Sequence, residues 1–257
     1  MTKYLYLTTF FLATMGGLAG AATLALRYSF EDGAELVDTA GGNAGVLNNG
    51  ATVSGGQLQL TGAGSSTAGN HLSFSSTINL GATFGATGVT IESWYTDSGT
   101  GTWGKLFQFG TNVAGEELAY THSRGNGEAS GVDRDGAKLF GEQVSVGAEH
   151  HLVITVASEG NINTWVDGDQ MLIDIDTNDL SNVGGDNNFE AIGATSWGDP
   201  GMNGSVNEFR IWSGELTGAE VAASFAGGPA NVVPEPSSMA LISIGSVLLI
   251  FRRLRNR

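Results

Sequence analysis

Through the middle of this chain, apolar residues alternate with polar ones over short runs, and each run stops at Gly, Asn or Asp. A period of two places successive side chains on opposite faces of an extended strand. The pattern predicts strands over Leu26–Phe30, Gln57–Leu60, His71–Phe74, Val89–Tyr95, Lys105–Phe109, Glu117–His122, Ala137–Gly141, His151–Ala157, Ile162–Val166, Gln170–Ile175 and Ser205–Trp212. Within His151–Ala157, Leu152, Ile154 and Val156 take one face while Val153 and Thr155 take the other. Both faces of that strand are therefore expected to be covered, as in a two-layer sandwich. Asp167-Gly168 joins two of these runs and supplies the positive-φ residues of a tight hairpin turn. Asp133-Arg134-Asp135-Gly136 also reads as a hairpin turn: it opens like a calcium loop but lacks a third ligand position and a closing Glu. One helix is predicted, where Thr217-Gly218-Ala219-Glu220 forms a capping box ahead of Val221–Phe225. Ala226-Gly227-Gly228-Pro229 ends it.

Composition agrees with many short strands, since Gly accounts for 40 of 257 residues and Pro for only 4. With no cysteine there is no disulfide framework, thiolate metal site or thiol nucleophile. Between Thr23 and Val233 lie 25 Asp and Glu against 6 Lys and Arg, a formal balance of −19. Such a surface repels a phosphate backbone, so nucleic acid is excluded as a partner.

The two ends read as addresses rather than fold. Residues 1–22 form a secretory signal peptide: Lys3, the apolar run Tyr4–Ala13, then Ala19-Gly20-Ala21 at a small-x-small cleavage site. At the other end, Val233-Pro234-Glu235-Pro236 precedes the apolar stretch Met239–Phe251 and the basic tail Arg252-Arg253-Leu254-Arg255-Asn256-Arg257. As a helix, Ser237–Phe251 would span about 22 Å, against about 30 Å of hydrocarbon in a bilayer. The arginines set the C-terminus on the cytoplasmic side. The expected organisation is a signal peptide at 1–22, one β-sandwich domain at 23–228, a linker at 229–236, a short transmembrane helix at 237–251 and a basic cytoplasmic tail at 252–257.

Pro234, Glu235 and Pro236, followed by a short membrane helix and the cluster that includes Arg252 and Arg253, resemble the PEP-CTERM sorting signal of Gram-negative bacteria. The resemblance implies export by the secretion machinery, a transient inner-membrane anchor and processing by an exosortase. It also implies delivery to the cell surface or extracellular, biofilm-type matrix.

A second resemblance covers roughly Leu26 to Gly228. Arg27-Tyr28-Ser29-Phe30, Val89-Thr90-Ile91-Glu92-Ser93-Trp94, His150-His151-Leu152-Val153-Ile154-Thr155, Trp165-Val166-Asp167-Gly168 and Gly204-Ser205-Val206-Asn207-Glu208-Phe209-Arg210-Ile211-Trp212 follow one another, and the capped helix comes last. In this order they resemble the laminin-G-like, or concanavalin A-like, domains. The implied fold class is all-β, a two-sheet antiparallel jelly-roll β-sandwich with a face used for carbohydrate or protein binding. In many relatives an Asp where this chain has Asn207 helps hold a structural calcium near the first strand; Glu31, Asp32 and Asn207 are the corresponding candidate ligands for Ca²⁺.

Hydrolysis of glycosides needs two carboxylates across one bond. The Glu-x-Asp-x-x-Glu strand of hydrolytic relatives is absent, and Asp174 with Asp176 offers only a same-face pair without a Glu. His150 and His151 are neighbours on opposite faces and are expected to pack rather than share a metal. No Gly-x-Ser-x-Gly elbow marks a nucleophilic serine, so no Ser-His-Asp triad is assigned from the sequence. Trp94, Trp165 and Trp212 lie in predicted strands and belong to the core, whereas Trp103 and Trp197 sit in glycine-flanked loops. An indole presents a flat apolar face to a sugar ring, which makes Trp103 and Trp197 the candidate ligand-binding residues. The expectation is a non-catalytic exported module that binds extracellular polysaccharide or a surface protein. The alternatives are a polysaccharide hydrolase and a structural coat protein.

Overall fold

A computed structural model describes residues 21–31, 36–62, 68–99, 101–124, 129–175, 178–185 and 188–232. Residues 1–20 of the signal peptide, Asp32, Asp176, and the sorting residues Pro234, Glu235, Pro236, Arg252 and Arg253 lie outside the described residues, as does the predicted membrane helix.

Among the described residues, fifteen strands build two stacked antiparallel sheets. In chain order they are β1 (Thr23–Tyr28), β2 (Gly45–Asn48), β3 (Thr52–Ser54), β4 (Gln57–Thr61), β5 (His71–Phe74), β6 (Val89–Asp97), β7 (Gly104–Gly110) and β8 (Glu117–Ser123). Then follow β9 (Gly131–Arg134), β10 (Gly136–Leu139), β11 (Glu149–Val156), β12 (Ile162–Val166), β13 (Asp169–Asp174), β14 (Phe189–Ile192) and β15 (Asn203–Ser213). Sheet A runs β13-β12-β11-β6-β15-β4-β3, with β1 also paired to β15. Sheet B runs β10-β9-β8-β7-β14-β5-β2. The non-sequential order in both sheets is that of the expected jelly roll.

The alternation seen in the sequence fills the space between the layers. Leu152, Ile154 and Val156 of β11, Ile91 and Tyr95 of β6, and Phe209 and Ile211 of β15 meet Phe107 and Phe109 of β7, Leu118 and Tyr120 of β8, and Val132 of β9. Val153 points away from them, into a second cluster with Trp165, Trp212, Leu216 and Val221. Asp167 (φ 53°) and Gly168 (φ 85°) make the predicted hairpin turn between β12 and β13.

The outer face of sheet A is closed by the helix α2 (Gly218–Gly227), whose capping box is formed by Thr217 and Glu220 as expected. A buried ionic network fastens it. Glu92 accepts from His151 Nε2 at 2.9 Å, Trp212 Nε1 at 3.0 Å, Arg210 Nη1 at 3.2 Å and Ser224 Oγ of α2 at 2.5 Å. Arg210 also donates to Glu208, and to the Pro229 carbonyl just beyond the helix. Burial pushes the Glu92 carboxyl up, but the His151 hydrogen bond and the Arg210 guanidinium outweigh it and hold the group below its ordinary value.

Four strands were not anticipated: β2, β3, β9 and β14. Each has three or four residues, too few for an alternation to stand out from its turns. Asp133 and Arg134 belong to β9 rather than to the turn itself, which narrows to Asp135 because Arg134 pairs with Gly136. A second helix, α1 (Leu80–Phe84), is also new; Asn79 caps it by accepting from Ala82 N at 3.0 Å.

Candidate functional site

On sheet B the outward positions of three adjacent strands carry charge. Leu118 and Tyr120 of β8 enter the core, which leaves Glu117, Ala119 and Thr121 facing out beside Lys105 of β7 and Asp133 of β9. Lys105 Nζ donates to Asp133 Oδ2 and to Thr121 Oγ1, each at 2.8 Å, and lies 3.9 Å from Asp199 Oδ2. Arg124 closes on the other oxygen of Asp133. These groups are buried although they sit on an outer face, because two connections fold across them. Their pairing and hydrogen bonds offset part of the desolvation that burial imposes.

One connection leads from β14 to β15. Gln108 of β7 pins it, accepting from Thr195 Oγ1 at 2.6 Å and Ser196 N at 2.8 Å while donating to Ser196 Oγ at 2.7 Å. This places Trp197, whose indole N–H donates to Glu117 Oε2. Burial is the main reason that the Glu117 carboxyl is pushed up to about 7, and the Trp197 hydrogen bond only partly opposes it. The other connection joins β6 to β7. There Trp103 adopts a left-handed backbone (φ 67°) and lays its ring over the Arg124 guanidinium at 4.6 Å and Lys105 Nζ at 5.8 Å.

Both candidate tryptophans thus rim the same charged cluster. They remain 38% and 42% exposed, whereas Trp94, Trp165 and Trp212 are buried. The Trp197 N–H is committed to Glu117, so what this residue offers a ligand is its ring face. Sequence reasoning missed Lys105, Glu117, Arg124, Asp133 and Asp199. For Glu117 and Asp133 the available signal was a polar residue alternating with the apolar Leu118, Tyr120 and Val132.

Of the calcium candidates, Asp32 lies outside the described residues. Asn207, at a bulge of β15, donates its amide to Glu149 Oε1 at 2.8 Å, and the Glu31 carboxylate lies beside Gly56 in the turn between β3 and β4. Among the described residues no three His, Cys, Asp or Glu side chains converge as metal ligands. Asp174 is paired to Lys138 at 3.0 Å. His150 and His151 do take opposite faces: His151 stacks on Trp94 at 4.1 Å, and His150 lies 6.3 Å from Tyr95. A cavity of about 840 Å³ lies elsewhere, beside Asn79 and Glu116; its lining includes neither exposed tryptophan.

A family model described as the concanavalin A-like lectin/glucanases superfamily, of laminin-G type, matches residues 66–222, more than half of the chain. The chain belongs to this superfamily. A second model, the PEP-CTERM protein-sorting motif, matches residues 232–256; the protein is therefore exported and sorted to the surface by the exosortase-dependent route of Gram-negative bacteria. No curated protein matches the sequence significantly. Among solved structures, domain 4 of the extracellular arabinanase AbnA from Geobacillus stearothermophilus, in complex with arabinotriose, is similar with a TM-score of 0.57 at 18% identity, covering 79% of this chain and 98% of that one. Trypanosoma rangeli sialidase in complex with sialic acid has a TM-score of 0.59 at 17% identity; the match covers 79% of this chain but only 32% of the sialidase. A botulinum neurotoxin type C chain has a TM-score of 0.56 at 14% identity, with 80% of this chain and 51% of that chain covered. At these identities the likeness is one of fold.

Proposed function

We propose that this exported protein binds polysaccharide of the cell surface or matrix through the outer face of sheet B. The observation that carries the reading is the pair of half-exposed indoles, Trp103 and Trp197, held on one face by a buried charged cluster. Rigid aromatic faces stack on the apolar faces of sugar rings, and fixing them beforehand lowers the entropy lost on binding. The strongly acidic domain favours a neutral polymer over a polyanion. The arabinotriose complex of the AbnA domain is consistent with sugar binding on this fold. We further read the secretion signal as removed after Ala21 or Ala22, beside the point where Ala22 packs in the Trp212 cluster.

The test is retention of the exported protein in affinity electrophoresis through matrix polysaccharide from its host. Trp103→Ala with Trp197→Ala should weaken retention about tenfold, as expected for two stacking contacts of about 0.7 kcal/mol each. Equal retention by the double variant would overturn the proposal. Release of soluble sugar during the assay would instead favour the hydrolase reading.

A further inference from the structure

Away from the tryptophan face, the loop between β10 and β11 brings Ser145 against His150. Ser145 Oγ is 3.0 Å from His150 Nε2, and the other ring nitrogen, Nδ1, is 2.7 Å from Asp167 Oδ2. Asp167 is itself fixed, because its second oxygen accepts from His151 N at 2.8 Å and its backbone forms the hairpin turn. His150 is 8% exposed, while Ser145 is open to solvent. All three line one cavity of about 350 Å³, with Val166 and Met171 as apolar wall and Glu142 and Asp169 as acidic rim.

We propose that Ser145, His150 and Asp167 form a nucleophilic triad that hydrolyses short, uncharged acyl esters, a second activity independent of glycan binding. The hydrogen-bond order is the one such chemistry needs: a carboxylate orients the ring, the ring faces the hydroxyl, and the hydroxyl opens to a cavity. With Nδ1–H donating to Asp167, Nε2 is free to accept the Ser145 proton. The Ser145 carbonyl, 3.1 Å from Nε2, is then in place to accept from the imidazolium that forms.

In the first half-reaction Oγ bonds to the acyl carbon and its proton passes to Nε2. The ester C–O bond breaks, and the departing alcohol takes the proton from Nε2. Water then gives a proton to Nε2 and attacks the acyl carbon; Oγ leaves as the carboxylic acid forms and recovers the proton. Ester and water thus yield acid and alcohol with no other reagent. The cavity admits a short acyl chain, and its acidic rim disfavours anionic esters.

The exported protein should be treated with a fluorophosphonate, which bonds phosphorus to an activated serine oxygen with loss of fluoride, and mapped by peptide mass spectrometry. In parallel, 4-nitrophenyl acetate hydrolysis is followed by absorbance. The expected result is an adduct on Ser145 and turnover at least 100-fold above that of Ser145→Ala, the scale of a positioned general base. Asp167→Asn should slow both reactions even where His150→Gln fails to fold. Labelling absent from Ser145 in protein with a normal melting transition would overturn the triad. So would labelling at equal rates in wild type and in a folded His150→Gln or Asp167→Asn variant. Loss of glycan retention in the Trp103 and Trp197 variant leaves these readouts untouched, so the two proposals fail separately.

Discussion

The outer faces of the two sheets carry the same kind of chemistry and close it off differently. On sheet A, Glu92, Arg210, His151 and Glu208 lie beneath α2, and the helix contributes Ser224 as a donor to Glu92 and Phe225 as a ring stacked on His151 at 5.9 Å. On sheet B, Lys105, Arg124, Asp133 and Glu117 lie beneath two connections, and the covering residues include indoles that still face solvent. A buried ionic network sealed by a helix serves to hold that helix. One roofed by half-exposed aromatics also leaves a surface for a partner.

Removing one partner from the sealed network should give the largest effect. Arg210→Met removes the guanidinium from buried Glu92 and leaves Glu208 with Arg27 alone, which costs about 3–5 kcal/mol. A differential scanning calorimeter should then show the melting temperature falling by about 10 °C. A shift within a degree of wild type would place the two faces on the same footing.

Glu117 sharpens the comparison through pH. Its carboxyl titrates at about 7 in the fold against an ordinary value of 4.5. Over that window the native state therefore holds a proton that the unfolded chain has released, so this residue's contribution to stability falls as pH rises from about 4.5 to 7. Glu117→Gln, which keeps an acceptor for the Trp197 N–H, should flatten the dependence. The variant should be more stable than wild type at pH 8, by up to a few kcal/mol. Identical denaturation curves for the two proteins at pH 5 and pH 8 would remove Glu117 from the buried cluster.

The smallest effect is expected at the start of α2. Thr217→Ala leaves the Glu220 N–H without its cap and should cost about 1 kcal/mol by urea denaturation, with sheet B and glycan retention unchanged.

How far the sequence speaks for each region follows from the range of the interactions involved. The β12–β13 hairpin and the capped helix were legible because both are decided by residues within a few positions: Asp167-Gly168 in one case, Thr217 and Glu220 in the other. Trp103 and Trp197 stood out through their flanking glycines. The cluster beneath them did not, since Lys105, Glu117 and Asp133 become neighbours only through the order β9-β8-β7, and Asp199 only when a loop folds over that face. The triad is hidden for a similar reason. Ser145 and His150 are near in sequence, but Asp167 reaches them only through the pairing of β11 with β12. No elbow motif accompanies it.

The exit of the chain from the fold also has a geometric outcome. Arg210 grips the Pro229 carbonyl and Val232 rests on the Trp212 cluster, both on the α2 side of the sandwich, and the sorting motif begins only two residues later at Pro234. Any cut within that motif leaves at most four residues beyond Val232. The chain thus leaves the described fold on the side of the sandwich opposite Trp103 and Trp197.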